Sequence, residues 1–177
     1  MELQTCLATR RSIRRFQPTP VSRETIRELI VAANLAPSWK NSQTGRYYVA
    51  DGKAKEAMAE LLPQFNQNAT KDAPVLIVAT AVKGISGFTA DGGYATHLKE
   101  GFQCFDNGLQ VENLCLKAWD LGLGTLIMGL YDEAAIRDFF PIPESEEIVC
   151  VIALGYPDIE PKAPQRLPVD TLVTFKD

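Results

Sequence analysis

Two short stretches limit what this chain can become: PVLIVATAV at residues 74–82 and EIVCVIALGY at residues 147–156. The first is apolar without a break and too short for most helices. The second is rich in β-branched residues and bounded by polar ones. The first reads as a buried strand and the second is the strongest strand signal in the chain.

The other elements arrange themselves around this pair. RYYVA (46–50) and Thr125–Met128 read as further strands. A short helix is expected over Glu2–Thr9. Ser22 can cap a second helix, with Glu24 in its first turn and Ile26, Leu29, Ile30 and Ala33 at the spacing of one buried face. It ends near Pro37, because the residue before a proline avoids the helical region. Helices are also expected over Lys53–Leu62, over Leu109–Leu121, and from a cap at Asp132 to Phe140. The Leu109–Leu121 helix is apolar over so wide an arc that it belongs at the centre or at a subunit interface. Strands and helices do not strictly alternate, so the expectation is α+β with helices on both sides of a central sheet. A proline-rich tail, YPDIEPKAPQRLP, leads to TLVTF (171–175), read as a last short strand that reaches for a partner subunit.

Bulk properties exclude several classes. A chain of 177 residues fits one domain, residues 1–177. The formal net charge of −4 argues against a general nucleic-acid binder. No apolar run is long enough to span a bilayer, and Met1-Glu2-Leu3-Gln4 does not read as a signal peptide. Cys6, Cys104, Cys115 and Cys150 are widely separated and lack metal-ligand spacing. They read as core residues of a reducing compartment, so the expected location is cytoplasmic, with no metal.

Against that acidic background, ATRRSIRRFQP places Arg10, Arg11, Arg14 and Arg15 within six residues around Ser12. Guanidinium groups make paired, charge-assisted hydrogen bonds to phosphate. Without an anion the segment is a solvated turn. Neither a GxxxxGKS/T loop nor a GxGxxG run is present, so those phosphate sites are unsupported. A second cluster, APSWKNSQ (36–43), offers neutral hydrogen-bonding side chains suited to a uracil-like edge, or forms only a polar turn. A third, LGLGTLIMGLY, sets Gly122, Gly124 and Gly129 around an apolar strand. They either admit something flat against the backbone or allow close packing of a helix. Residues 83–105, punctuated by glycines and aromatics, read as a lid or substrate loop.

Taken in order, RRSIRRF, PVSRETIRELIVAANLAPSWKNSQ, DNGLQVENLCLKAWDLGLGTLIMG and IVCVIALGYP resemble the FMN-dependent nitroreductase and flavin reductase family. The resemblance implies an α+β fold with a mostly antiparallel sheet flanked by helices. It also implies a homodimer with FMN at the interface and exchanged C-terminal arms (157–177). In this reading Arg10, Arg11 and Ser12 hold the FMN phosphate and ribityl chain, Arg14 approaches the flavin N1–O2 edge, and Arg166 is a late phosphate ligand. Pro37, Ser38 and Asn41 come from the second subunit. Asn66 meets the pyrimidine edge, and Met128 and Gly129 lie where a backbone N–H meets N5. Arg15 falls outside the pattern.

The family's NxQPW is here Asn41-Ser42-Gln43-Thr44-Gly45, and Trp39 sits inside the PSxxN segment instead. Trp39, Phe88, Tyr94, Phe102 and Phe105 are the candidate walls of the substrate pocket, and His97 reads as a loop residue. The implied activity is ping-pong transfer of hydride from NADH or NADPH through flavin N5 to a nitroaromatic, quinone or similar small acceptor. No catalytic side chain is required, because the cofactor carries the chemistry. The alternatives are a dehalogenating or flavin-fragmenting enzyme of the same fold, an FMN-binding protein that does not oxidise NAD(P)H, and a non-catalytic protein that binds an anionic partner.

Overall fold

The computed structural model describes residues 1–176. Four strands form one antiparallel sheet in the order β1-β2-β4-β3, with β1 at Gly45–Asp51, β2 at Val75–Val82, β3 at Gly124–Met128 and β4 at Glu146–Gly155. β2 and β4 are the central pair, in register from Val75 opposite Leu154 to Val82 opposite Glu146, with a bulge between Ala79 and Thr80.

Helices cover both faces, which explains why β2 reads as a continuous apolar run and why β4 is apolar from Ile148 to Leu154. On one face Leu76, Val78, Val151 and Ala153 join Met58 of α3 (Gly52–Ala59) and Ile136 of α6 (Glu133–Phe139). On the other, Val75, Ile77, Ala79, Cys150, Ile152 and Leu154 meet α2 (Arg23–Asn34) and the long α5 (Gly101–Asp120). From these helices come Ile26, Leu29 and Ala33, and Val111, Leu114, Cys115 and Ala118. The Ser22 and Asp132 side chains cap α2 and α6 by accepting the backbone N–H of Thr25 and Ala135.

The remaining helices are α1 (Leu3–Thr9), α4 (Gln64–Thr70) and α7 (Val169–Leu172). Three expectations change. The segment read as a terminal strand holds α7 instead and pairs with no strand. Its Val169, Leu172 and Phe175 are exposed, so nothing within the protomer rewards extension. Helix α5 begins at Gly101, so Phe102 and Phe105 lie on its first turns and the loop before it is 83–100. Cys104 is exposed, whereas Cys6, Cys115 and Cys150 are buried as expected.

Candidate active site

The arginine segment is held by its apolar residues. Ile13 and Phe16 are buried, while Ser12, Arg14 and Arg15 face outward. Ser12 bridges Thr125 in parallel, with Ile13 N–H donating to Thr125 O at 2.9 Å, so the segment extends the sheet beyond β3. Phe16 bridges Pro157, and Gln17 N–H donates to Tyr156 O at 2.9 Å. A Cβ at Gly124 would collide with Cγ1 of Ile13. Close packing therefore accounts for this glycine. Gly122 is left-handed (φ 76°) and turns the chain out of α5.

The tail folds back over the same edge. Arg15 donates to Asp158 O at 3.1 Å and lies 3.9 Å from that carboxylate, which places it outside the site, as expected. Beyond this tie, a cleft of about 510 Å³ is lined by Arg10, Arg11, Ser12, Arg14, Pro161, Lys162, Pro164 and Arg166. Five cationic side chains thus face one cavity. Among the described residues one ion pair draws on them, Arg10 Nε to Glu112 at 3.4 Å, and both groups are partly exposed, so it offsets little of that charge. Lys162 is a lining residue that the sequence reading missed. Its signal was its spacing four before Arg166 in the proline-rich tail.

Arg14 also lines a second cavity of about 510 Å³, otherwise formed by Phe65, Asn66, Ala69, Leu126, Ile127, Met128, Gly129 and Leu130. The walls here are mostly apolar. Asn66 is buried on α4 and donates Nδ2–H to Leu130 O at 3.0 Å, fixing the backbone just after Gly129. A Cβ at Gly129 would meet nothing within 4 Å, so its surroundings are open. One arginine therefore stands between a strongly basic cleft and a mostly apolar one. The arrangement suits a molecule with an anionic group at one end and a planar apolar body at the other.

Of the residues singled out from the sequence, Arg10, Arg11, Ser12, Arg14 and Arg166 share the first cavity, and Arg14, Asn66, Met128 and Gly129 the second. Pro37, Ser38 and Asn41 line neither. They belong to a turn in which Lys40, Asn41 and Gln43 all take left-handed backbone angles. The aromatic candidates divide. Phe88 and Tyr94 stack at 5.1 Å and line a cavity of about 330 Å³ with Gln103 and Cys104. Trp39, Phe102 and Phe105 form a separate row, with ring centres 4.9 and 5.3 Å apart. Among the described residues no group of three or more potential metal ligands occurs, and no helix is long and apolar enough to cross a membrane.

The Nitroreductase family model matches residues 7–156. The chain is 28% identical to the 4-nitrobenzoate reductase of Pseudomonas putida, over 86% of this chain and 84% of that protein. It is also 28% identical to the NADH dehydrogenase of Thermus thermophilus, over 99% and 97%. A protein from Exiguobacterium sibiricum, whose crystal structure is a complex with FMN, superposes with a TM-score of 0.86 at 22% identity over 99% and 98% of the two chains. At that identity the likeness speaks for the fold. The chain thus belongs to the Nitroreductase family and is an oxidoreductase.

Proposed function

We propose that the two cavities joined at Arg14 hold FMN and that the protein uses it to pass electrons from NADH or NADPH to a small acceptor such as a nitroaromatic or quinone. The observation that carries this reading is the adjacency itself: five cations around one cleft, and an apolar cavity next to it that shares Arg14. The donor set fits the group. Arg10, Arg11, Lys162 and Arg166 would neutralise the phosphate, Ser12 would meet the ribityl hydroxyls, and Leu126, Met128 and Phe65 would flank the ring. Bound FMN would supply the capacity to take up and release hydride. Arg14, held beside the ring site by the buried Ile13, places a fixed positive charge where reduction accumulates negative charge.

The site is completed in this reading by a second copy of the chain, which contributes Pro37, Ser38 and Asn41. Two observations support it. These residues line neither cavity of their own protomer, and the tail leaves Leu167, Val169, Leu172 and Phe175 exposed. Exchange of that arm would cover them. A cytoplasmic location is part of the same reading and rests on the wide separation of the four cysteines in the sequence.

The test is the visible spectrum of purified protein after addition of FMN and desalting, followed by anaerobic NADH or NADPH. Retained flavin that bleaches supports the reading and identifies the donor. Retained flavin that stays oxidised leaves an FMN-binding protein that does not oxidise NAD(P)H. No retained flavin, with a monomeric mass, overturns it.

A further inference from the structure

Helix α5 carries a buried carboxylate that touches neither cavity of the proposed cofactor site. Asp106 is 1% exposed, and its Oδ2 accepts two hydrogen bonds from different parts of the chain. One comes from the backbone N–H of Trp39 at 2.8 Å, and the other from the hydroxyl of Ser86, itself fully buried. A single oxygen thus joins the 37–43 turn, the 83–100 loop and the start of α5.

Packing reinforces the same junction. The Trp39 ring meets Phe102 edge-on at 4.9 Å, one turn before Asp106. Gly87, at φ 84°, lies so close to Phe102 that a Cβ there would stand 2.8 Å from the Phe102 Cβ. The 37–43 turn also needs an anchor. Lys40, Asn41 and Gln43 hold left-handed angles of 46°, 56° and 49°, which a non-glycine chain keeps only when its surroundings over-determine them. Polar satisfaction within the block is incomplete. All six buried side-chain N or O atoms without a partner among the described residues lie in 39–44, at Thr96, or at Gln103 and Asn107. Loss of the Asp106 acceptor would leave the backbone N–H of Trp39 without its partner as well.

We propose that Asp106 is a positioning residue. It holds the turn that bears Trp39 and Asn41 in fixed register with the loop that bears Phe88 and Tyr94, so that the two separate aromatic groups offered to the electron acceptor keep a preformed spacing. This rests on the function proposed above and deepens it. Asp106 itself touches neither cofactor nor acceptor; it acts through Trp39 and Ser86.

Three variants of the full-length, FMN-loaded protein test it: Ser86→Ala, which removes only the loop's donor; Asp106→Asn, which keeps an accepting oxygen; and Asp106→Leu, which removes it. The readouts are kcat and KM for 4-nitrobenzoate and for a benzoquinone at saturating NAD(P)H, FMN affinity, and melting temperature. Asp106→Leu is expected to raise the acceptor KM by roughly tenfold or more, since loss of positioning acts on acceptor binding. Ser86→Ala should raise it several-fold with FMN affinity nearly unchanged and only a small fall in melting temperature, and Asp106→Asn should stay close to wild type. Variants that lower the melting temperature alone, with acceptor KM within about twofold of wild type, would show a purely structural carboxylate and overturn the proposal. If Asp106→Leu does not fold, Ser86→Ala decides by the same criterion. A wild-type protein that holds no FMN instead removes the reading beneath it, which is a distinct result.

Discussion

Gly124 of β3 and Gly155 of β4 are register partners, and each leaves room for one apolar residue of the arginine segment. Ile13 packs over Gly124. Phe16 packs over Gly155, where an added Cβ would lie 3.1 Å from its ring and collide with Pro74. The basic cleft is therefore positioned by two missing side chains at one end of the β3–β4 pair. Its arginines face outward because Ile13 and Phe16 take the inward positions.

Gly124→Ala should lift Ile13 out of its seat. Overpacking of this kind costs about 1–3 kcal/mol. The displaced segment carries Arg11, Ser12 and Arg14 with it, so FMN affinity should fall as well. Ile13→Ala makes space for the new methyl group. The double variant should therefore lose less stability than the sum of the singles, as read from urea midpoints in a double-mutant cycle.

The five cations of the cleft face a phosphate in the proposed complex, and that interaction can be separated from ring binding. Arg166→Ala and Lys162→Ala should each weaken FMN by several-fold or more, since hydrogen bonds to charged groups contribute about 1.5–3 kcal/mol when shielded and less when exposed. Neither should alter affinity for riboflavin, which lacks the phosphate. Arg23→Ala serves as the control, because Arg23 lines neither cavity and pairs with Asp51. Equal losses for riboflavin and FMN in isothermal titration would show that the cleft does not bind the phosphate.

Much of this fold was legible in the sequence, and the reasons differ by element. β2 and β4 announced themselves because both of their faces are buried, between Met58 and Ile136 on one side and Ile26 and Leu114 on the other. α2 and α6 were marked by Ser22 and Asp132, whose caps form as the spacing predicts. α4 was not legible. QFNQNAT has no apolar stripe, and only Asn66 and Thr70 are buried, so tertiary contact alone maintains it. In the site, the arginines were visible as composition. Their direction depends on contacts with Thr125 and Tyr156, more than a hundred residues away in the chain. Lys162 reaches the cleft only because Arg15 and Gln17 hold the tail, which no local pattern encodes. The aromatic residues read as one wall separate into two groups because α5 starts before Phe102 and carries it toward Trp39.

Cys104 should be the one thiol that reacts in the native protein. It is exposed in the cavity beside Phe88 and Tyr94, and although partial desolvation raises its thiol too, Cys6 is buried and burial pushes Cys115 up to about 11 and Cys150 to about 12. Alkylation at mild pH should add a single label, located on the peptide that contains Cys104, and Cys104→Ser should abolish it. An aromatic acceptor that enters this cavity should slow the labelling. Modification of Cys115 or Cys150 at comparable rates would show that the sheet face covered by α2 and α5 opens in solution.

The same burial makes the protein sensitive to alkali. The ordinary values are 9.0 for the thiols of Cys115 and Cys150 and 10.0 for the Tyr131 phenol, whose folded value rises to about 12, chiefly through burial. Tyr131 also donates to Ile148 O at 3.0 Å. In the unfolded chain these groups lose their protons first. Between the unfolded and folded values the native state holds more protons, and stability falls as pH rises. Their contribution is complete below pH 9 and is lost through the 11–12 range. Urea midpoints should therefore be flat from neutrality to just below the ordinary thiol value and decline steadily above it. Tyr131→Phe should flatten part of that decline, because it removes one titrating group while preserving the ring. A midpoint that stays constant through the alkaline range would mean that these side chains reach solvent in the folded state.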